Sequence, residues 1–189
     1  MRSLVLFTCF CLAGAPPIPS PATTVQSYLS ALEVFDHRGM SQFWADDAVS
    51  ETAGTSPDAR PIDRERMRAM RGFEREMHTK WSWTITDVGA SDVTVSLSEA
   101  NDLYSLLGSG ECVQTVVYSI RDGKITRMLT KDIAYSGRPF RTAFAGFKAW
   151  LLATSAASDG AVVREGQIQF TPESARHLLP WLRTWQNRR

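Results

Sequence analysis

The sequence predicts an α+β fold in which three N-terminal helices pack on a strongly curved antiparallel sheet, followed by a C-terminal helical extension. Apolar residues recur at helical spacing before residue 80, and apolar and polar residues then alternate up to residue 132. Helices followed by a run of strands are typical of α+β proteins. Such a sheet must curl around the helices to bury its apolar face, which leaves a cavity at its open end.

Apolar stripes and capping residues mark the predicted helices. The first helix carries apolar residues at positions i, i+3, i+4 and i+7, which are Val25, Tyr28, Leu29 and Leu32. Thr23 or Thr24 is expected to cap it. After a short turn, Phe43 and Trp44 are predicted to lie on a second helix. A third helix is predicted to open at Pro61, and its apolar stripe, which we interpret as core packing, consists of Met67, Met70, Phe73 and Met77.

Four strands are predicted at residues 80–88, 93–104, 111–120 and 125–132. Asp122-Gly123 lies at the centre of the last turn and is a strong signal for a β-hairpin. The Gly-Ser-Gly segment at residues 108–110 is interpreted as the preceding hairpin turn, and residues 54–58 as a loop. One face of the second predicted strand carries, in order, Val93, Val95, Leu97, Glu99 and Asn101.

Residues 133–189 are predicted to form a basic helical extension. Lys and Arg exceed Asp and Glu by five there, whereas acidic residues exceed basic ones by five from residue 24 to residue 132. The two parts could attract each other, or both could be solvated surfaces. Thr171-Pro172 is predicted to cap the last helix, and Pro180 to kink it. An earlier helix is predicted from the stripe Phe140, Phe144, Phe147 and Leu151.

The first 22 residues have the pattern of a secretory signal peptide. A cationic start precedes about ten apolar residues, then small residues and prolines, and the apolar run is too short to span a bilayer. Cleavage is expected after Ala15, where Pro16 is unfavourable, or after Ala22. The sequence therefore favours export to the periplasm or the medium, with no membrane span in the mature chain; the alternative is a cytoplasmic protein with a mis-called start. The expected division is a leader at 1–22, an α+β domain at 23–132 and the extension at 133–189.

Composition and motifs argue against several kinds of partner. The net charge of +1 gives no electrostatic basis for binding nucleic acid. His37, His78 and His177 lack the spacing of metal ligands, so no metal site is expected, and no cofactor is expected. Cys112 lies in an apolar strand, and we interpret it as a small core residue.

Several short segments occur in an order and spacing that resemble a known family. They are residues 25–32 (VQSYLSAL), 43–49 (FWADDAV), 99–102 (EAND) with 107–108 (LG), and 121–125 (RDGKI). Over about 110 residues they resemble SnoaL-like proteins of the nuclear transport factor 2-like superfamily. The resemblance implies a cone-shaped, cystatin-like α+β fold with a deep apolar pocket, often in a homodimer. That superfamily includes ketosteroid isomerases, polyketide cyclases, epoxide hydrolases, dehydratases and non-catalytic members, so fold alone does not decide function.

The ketosteroid isomerase subfamily can be compared with this chain residue by residue. The tyrosine that the subfamily has on its first helix matches Tyr28. Its aspartate general base corresponds to Thr52, which has Glu51 beside it, and its carboxylic acid on the third strand corresponds to Val116. Only one of these three isomerase residues is matched in this chain, which argues against ketosteroid isomerase activity.

Glu99 and Asn101 are the leading candidates for chemistry. If their strand face points inward, a carboxylate and an amide enter an apolar cavity side by side. A desolvated Glu99 would have a raised pKa and could act as base or acid near neutral pH, while Asn101 or Tyr28 could hold a substrate oxygen. The alternatives are that Glu99 pairs with an Arg at the rim or is turned outward by a bulge. Asp132 is a second candidate carboxylate, or else a strand-end cap.

Two functions follow from this pattern. The first is a cofactor-independent isomerase, cyclase or dehydratase that uses Glu99 as general base on a small apolar substrate. The second is a non-catalytic ligand-binding or dimerisation module whose pocket is covered by the C-terminal helices, with Phe144, Phe147 or Trp150 at its mouth. In either case the candidate pocket walls, which could also be plain core, are Tyr28, Phe43, Trp44, Trp81 and Trp83.

Overall fold

The computed structural model describes residues 18–53 and 59–188, so the predicted loop at 54–58 and most of the predicted leader lie outside the described residues. The helices are α1 (Pro21–Glu33), α2 (His37–Ser41), α3 (Arg64–Glu76), α4 (Asp102–Leu107), α5 (Phe140–Leu152) and α6 (Pro172–Gln186), with a 3₁₀ turn at Ser155–Ser158. The strands are β1 (Trp44–Thr52), β2 (Arg60–Pro61), β3 (Lys80–Val88), β4 (Asp92–Ala100), β5 (Cys112–Arg121), β6 (Lys124–Tyr135), β7 (Val163–Arg164) and β8 (Gln167–Ile168).

Six of these strands form one curved sheet in the order β2-β1-β6-β5-β4-β3. Strands β3 to β6 make an antiparallel meander, whereas β1 pairs with β6 in parallel. Register shifts interrupt three of these pairings, and such bulges bend strands. The predicted α+β class, with helices before a curved and mostly antiparallel sheet, is therefore confirmed; the departure is the parallel β1.

The second predicted strand ends earlier than expected. It stops at Ala100 because the Asn101 side chain accepts a hydrogen bond from the backbone N–H of Tyr104 at 2.8 Å and so caps α4. Gly108 ends that helix in the left-handed conformation, with φ of 75°. The Gly-Ser-Gly segment therefore terminates a helix and is not a direct hairpin turn.

The segment around Trp44 is a strand and not the predicted second helix. The short helix α2 lies before it, capped by the Asp36 carboxylate, which accepts a hydrogen bond from the backbone N–H of Gly39 at 2.9 Å. The carbonyl of Phe43 then accepts a hydrogen bond from the backbone N–H of Ile125 at 2.7 Å. This bond ties the start of β1 to β6.

The first helix begins earlier than predicted. Ser20 is its N-cap, and the Ser20 hydroxyl accepts a hydrogen bond from the backbone N–H of Thr23 at 3.2 Å. Pro21 occupies the first turn, where its missing N–H costs nothing. Cleavage after Ala22 would remove this cap, whereas cleavage after Ala15 would leave it in place.

The buried apolar residues form two separate cores. The first fills the space between α1 and the inner face of the sheet, and its fully buried members include Leu29, Val93, Val95, Tyr118 and Ile125. The second lies where α5 and α6 pack on α3 and α4, and its members include Phe73, Leu107, Phe147, Leu178 and Leu182. The C-terminal extension is thus anchored to the helical side of the molecule.

The last helix follows the predicted capping pattern. Thr171 caps α6, and its hydroxyl accepts a hydrogen bond from the backbone N–H of Ser174 at 3.1 Å. Pro180 lies inside α6, which continues on both sides of it. Arg176 pairs with Glu76 of α3 at 3.5 Å, so the two oppositely charged parts of the chain do make an ion pair. No helix within the described ranges is long and apolar enough to cross a membrane.

Candidate functional site

A cleft of about 470 Å³ opens between β1, β2, α3 and β6. Its apolar side chains, which we call the methionine floor, are Ile62, Met67, Met70 and Met128. Its rim carries the exposed charges Arg60, Asp63 and Arg66. Because methionine side chains are unbranched and adapt to irregular shapes, the floor can fit apolar groups of several outlines.

Glu51 lies at the edge of this cleft as one half of an ion pair. Arg127 donates to it from Nε at 3.0 Å and from Nη2 at 2.6 Å. The hydrogen bonds from Arg127 lower the pKa of Glu51 below its ordinary value. Glu51, the neighbour of the isomerase-like position Thr52, is therefore held as a paired carboxylate and is a poor general base.

Glu99 lies on the inward face of β4, as the alternation predicted, and is only 7% exposed. Asn101 Nδ2 donates to Oε1 at 2.8 Å, and the Tyr104 hydroxyl donates to Oε2 at 3.1 Å. Burial raises the pKa of Glu99, while the charge of Arg71 and these hydrogen bonds oppose the rise. Asn101 therefore both caps α4 and holds the Glu99 carboxyl group.

A second buried carboxyl group, Glu74, faces the sheet from α3. Arg71 Nη1 lies 2.5 Å from Glu74 Oε2, and the two side chains are 13% and 10% exposed. Burial raises the pKa of Glu74 to about 8; the charge of Arg71 opposes this rise and that of Glu99 adds to it. The Arg71 guanidinium also lies 5.4 Å from the ring centroid of Trp81. The three side chains Arg71, Glu74 and Glu99 form what we call the buried charge cluster.

Sequence reasoning missed Arg71 and Glu74 because α3 is rich in Arg and Glu, which usually mark a solvated helix surface. One signal was available. Glu74 follows Met67 by seven positions and precedes Met77 by three, so it lies within the apolar stripe itself. A carboxylate at such a position must be buried or must distort the packing of the helix.

The other predicted site residues divide between core and surface. Tyr28 and Trp44 are buried and meet edge to face at 5.3 Å, and burial raises the pKa of Tyr28 to about 12. Phe43, Trp81 and Trp83 are partly buried and pack against the same first core. Tyr28 therefore lies among aromatic rings, and Asn101 and Tyr104 are the residues that bond Glu99.

Asp132, the second candidate carboxylate or else a strand-end cap, lies in a different environment from the buried Glu99. Its side chain is exposed, and its φ of 53° places it in the left-handed region. The pairing of β6 with β5 shifts register here, because Lys131 pairs with Thr115 and Ala134 with Val113. The extra residue in β6 breaks the inward and outward alternation at this point.

The C-terminal extension covers the Glu99 end of the site and not the cleft. Phe140 of α5 packs on Tyr104 at 5.0 Å and on Tyr135 at 5.6 Å. The residues that line the cleft fall between Ser50 and Met128. In the alternative with a covered pocket, Phe144, Phe147 or Trp150 would lie at its mouth. Here Phe147 is part of the second core, and Phe144 and Trp150 pack against that core.

Among residues 18–53 and 59–188, no group of three or more His, Cys, Asp or Glu side chains is placed to hold a metal ion. His78 and His177 each pair with a single carboxylate, of Asp102 and Asp159. Cys112 is buried, as expected for a core residue.

Comparison with known proteins finds similarity at the level of structure. No family model matches the chain, and no curated protein matches it. A nuclear transport factor 2-like protein of unknown function from Cytophaga hutchinsonii is 13% identical with a TM-score of 0.46, over 66% of this chain and 95% of that one. A candidate ketosteroid isomerase from Kribbella flavida is 20% identical with a TM-score of 0.45, over 63% and 82%.

A protein of unknown function with a cystatin-like fold, from Methylobium petroleophilum, is 14% identical with a TM-score of 0.47, over 63% of this chain and 77% of that one. At identities of 20% or less the likeness concerns the fold alone. Residue roles must therefore come from the geometry of this chain.

Proposed function

We propose that this protein binds a small, largely apolar molecule in the cleft above the methionine floor. The observation that carries the proposal is the cleft itself, which has a volume of about 470 Å³ and an apolar floor inside a charged rim. Ligand pockets are typically concave, of roughly 300–1,000 Å³, and mostly apolar with a few polar groups. The exposed Arg60 and Arg66 supply polar contacts for the part of the ligand that meets water.

Binding of Nile red, an uncharged dye whose emission rises in apolar surroundings, tests this proposal. The triple variant Met67→Gln, Met70→Gln, Met128→Gln keeps side-chain length but makes the floor polar, so we expect affinity to fall by about tenfold or more. The matched control is Arg68→Gln, an exposed position on the same helix that does not line the cleft. Wild-type protein that does not bind the dye, or equal affinity in the triple variant, would contradict the proposal.

A cofactor-independent isomerase, cyclase or dehydratase that uses Glu99 as general base is the second candidate. The observation in its favour is a buried carboxyl group whose pKa is raised by burial, as is common for a general acid or base. Two facts place it second: both Glu99 oxygens already accept hydrogen bonds, and Glu99 is not among the residues that line the cleft.

A thermal-shift screen of apolar metabolites on wild type and Glu99→Gln separates the two candidates. Hits are then incubated with each protein, and their conversion is followed by mass spectrometry. Turnover by wild type that Glu99→Gln loses would support the enzyme. Binding by both proteins without turnover would support a binding protein.

A further inference from the structure

We infer that the exposed side of α5 and α6 binds the surface of an anionic lipid membrane, with tryptophan rings in the headgroup region and arginines on the lipid phosphates. We call this side the α5–α6 surface; it consists of three partly exposed tryptophans and the exposed small and basic residues of the two helices. The inference goes beyond the proposed function and does not depend on it, because none of these residues lines the cleft.

Three tryptophans lie together where α5 meets α6. The ring centroid of Trp150 is 5.4 Å from that of Trp185 and 6.0 Å from that of Trp181. All three rings pack against the second core and remain partly exposed. Tryptophan combines a large apolar ring with a polar N–H group, and it is enriched where proteins meet membrane headgroups. The cluster therefore suits the boundary between water and apolar lipid.

The exposed side of α5 next to Trp150 is uncharged and carries only small side chains. Thr142, Ala145, Ala149 and Ala153 are all exposed and follow one another at spacings of three or four residues, so they share one side of the helix. Side chains of this size allow the helix to lie close to a broad, flat partner. A membrane surface has that shape.

The charges of the α5–α6 surface have one sign. Helix α5 has no acidic residue, and α6 has only Glu173, in its first turn. Arg141, Arg183 and Arg188 are exposed. Within the described residues, none of these three arginines pairs with a carboxylate. Basic residues beside tryptophans are typical of helices that lie on anionic membranes, because long arginine side chains reach the phosphates while the rings enter the headgroup layer.

Arg188 joins the charge to the tryptophan cluster. Its guanidinium lies 5.2 Å from the ring centroid of Trp150. The Nε1 atom of Trp150 is buried and has no hydrogen-bond partner within the part of the chain that the structure describes. A lipid phosphate that drew Arg188 away from the ring would open this N–H group to headgroup oxygens, which accept hydrogen bonds. Indole N–H groups only donate, so the two groups are complementary.

Two other occupants of this surface fit less well. Bases of single-stranded nucleic acid stack on open aromatic faces, but Arg188 lies over the Trp150 ring, and the other two rings meet Trp150 at 37° and 62°. A second copy of this chain, placed face to face, would bring two basic surfaces together, which is unfavourable. An anionic lipid surface meets neither obstacle.

Cosedimentation of the full chain with vesicles tests the inference. We expect binding to vesicles of two parts phosphatidylcholine to one part phosphatidylglycerol, little binding to pure phosphatidylcholine, and release in about 1 M salt. The variant Arg183→Gln, Arg188→Gln should bind about tenfold more weakly or less, since each basic residue near an anionic membrane contributes roughly fivefold. The control Arg38→Gln, Lys80→Gln removes the same charge from exposed positions on α2 and β3 and should bind nearly as wild type does. The apolar N-terminal residues are the same in every variant, so differences between variants report on the α5–α6 surface.

Brominated lipids give a second readout, because bromine on the acyl chains quenches the emission of tryptophans that enter the membrane. Wild type should be quenched on brominated vesicles of the same charge. The variant Trp181→Phe, Trp185→Phe keeps aromatic packing and should lose most of this quenching. The control Trp81→Phe, Trp83→Phe removes two tryptophans that pack against the first core, and its remaining emission should still be quenched.

Failure of wild type to bind the anionic vesicles would overturn the inference. So would equal binding by the arginine variant and its control, or binding without quenching in wild type. Tighter binding to single-stranded oligothymidylate than to vesicles would assign the surface to nucleic acid instead. A dimer in analytical ultracentrifugation that persists in place of vesicle binding would assign it to a second copy. If the tryptophan variants do not fold, the arginine variants and the quenching of wild type decide the question.

Discussion

The two faces of α3 are buried in opposite ways. The face toward the sheet carries Arg71 and Glu74, two nearly buried side chains that are hydrogen-bonded to each other. The face toward α6 carries Gly72 and Phe73, which pack against Pro172 and Phe170. One face therefore holds charge at a cost in solvation, and the other supplies the apolar contact that keeps the helix in place. The buried ionisable side chains and the apolar packing contacts therefore lie on different sides of this 13-residue helix.

Phe73→Ala should give the largest effect. Phe73 is 3% exposed and meets Phe170 edge to face at 5.1 Å, so truncation leaves a cavity in the second core. We expect the free energy of unfolding in urea to fall by about 3–5 kcal/mol. Arg68→Ala, on an exposed position of α3, should change it by less than about 0.5 kcal/mol. A loss for Phe73→Ala as small as that of the control would mean that α6 does not anchor this face.

Glu74→Gln should change how stability depends on pH. The pKa of Glu74 is raised from 4.5 to about 8, so between these values the folded protein keeps a proton that the unfolded chain has released. The contribution to stability is therefore complete below pH 4.5 and is lost as pH rises through about 8. We expect the free energy of unfolding of wild type to fall over this range by up to about 1.4 kcal/mol per pH unit.

Urea denaturation at a series of pH values measures this slope. Glu74→Gln has no proton to lose and should show a much shallower dependence, with only the part due to Glu99 remaining. Glu33→Gln removes an exposed carboxylate at the end of α1 and should keep the wild-type slope. Identical slopes in wild type and Glu74→Gln would show that the charge of Glu74 is not buried in solution.

Gly72→Ala tests the tight contact between α3 and α6. In an exposed helix this change stabilises by about 1 kcal/mol. Here an added Cβ would lie 2.4 Å from Pro172 Cγ, so the ring and α6 must shift. We expect a net loss of about 1–2 kcal/mol in thermal or urea unfolding. A gain in stability would mean that the two helices are further apart than described.

Arg176→Ala should give the smallest effect. Its ion pair with Glu76 has an N to O distance of 3.5 Å, and the arginine side chain is 59% exposed. Exposed pairs of this kind contribute about 0–1 kcal/mol, so we expect a loss of less than about 0.5 kcal/mol that vanishes in 1 M salt. A larger loss would favour electrostatic attraction over apolar packing as the force that holds the extension.

The sequence predicted the elements whose periodicity is strong and local. The alternation from Trp81 gave β3 with its observed bounds, and Asp122-Gly123 gave the β5–β6 hairpin. The stripe of methionines predicted the helix that is observed as α3. These features follow from neighbours in the chain, so no knowledge of distant contacts was needed.

The errors arose where a tertiary contact decides the outcome. Phe43 and Trp44 were predicted to be helical, but the backbone bond from Ile125 to Phe43 makes this segment a strand. Asn101 was expected to continue a strand, although an Asn before a short apolar run is also a helix cap.

At the candidate site, the inward position of Glu99 was predicted, since it depends on strand alternation. Its contact with Asn101 arises differently, because Asn101 lies beyond the end of the strand and caps α4. Arg71, Glu74 and the cleft were not, because their positions depend on how α3 lies over the sheet. Asp132 lies at a bulge that leaves no mark in the sequence pattern.

The parallel pairing of β1 with β6 has a consequence for how the protein assembles. The meander β3 to β6 joins strands that are close in the chain, whereas the bond between Glu51 and Arg127 joins residues 76 positions apart. Contacts of such long range are slow to form, because the loop between them must first be ordered. We expect β1 to dock last. Since Ser50 and Thr52 of β1 line the cleft, the capacity to bind a ligand would be acquired only in that final step of folding.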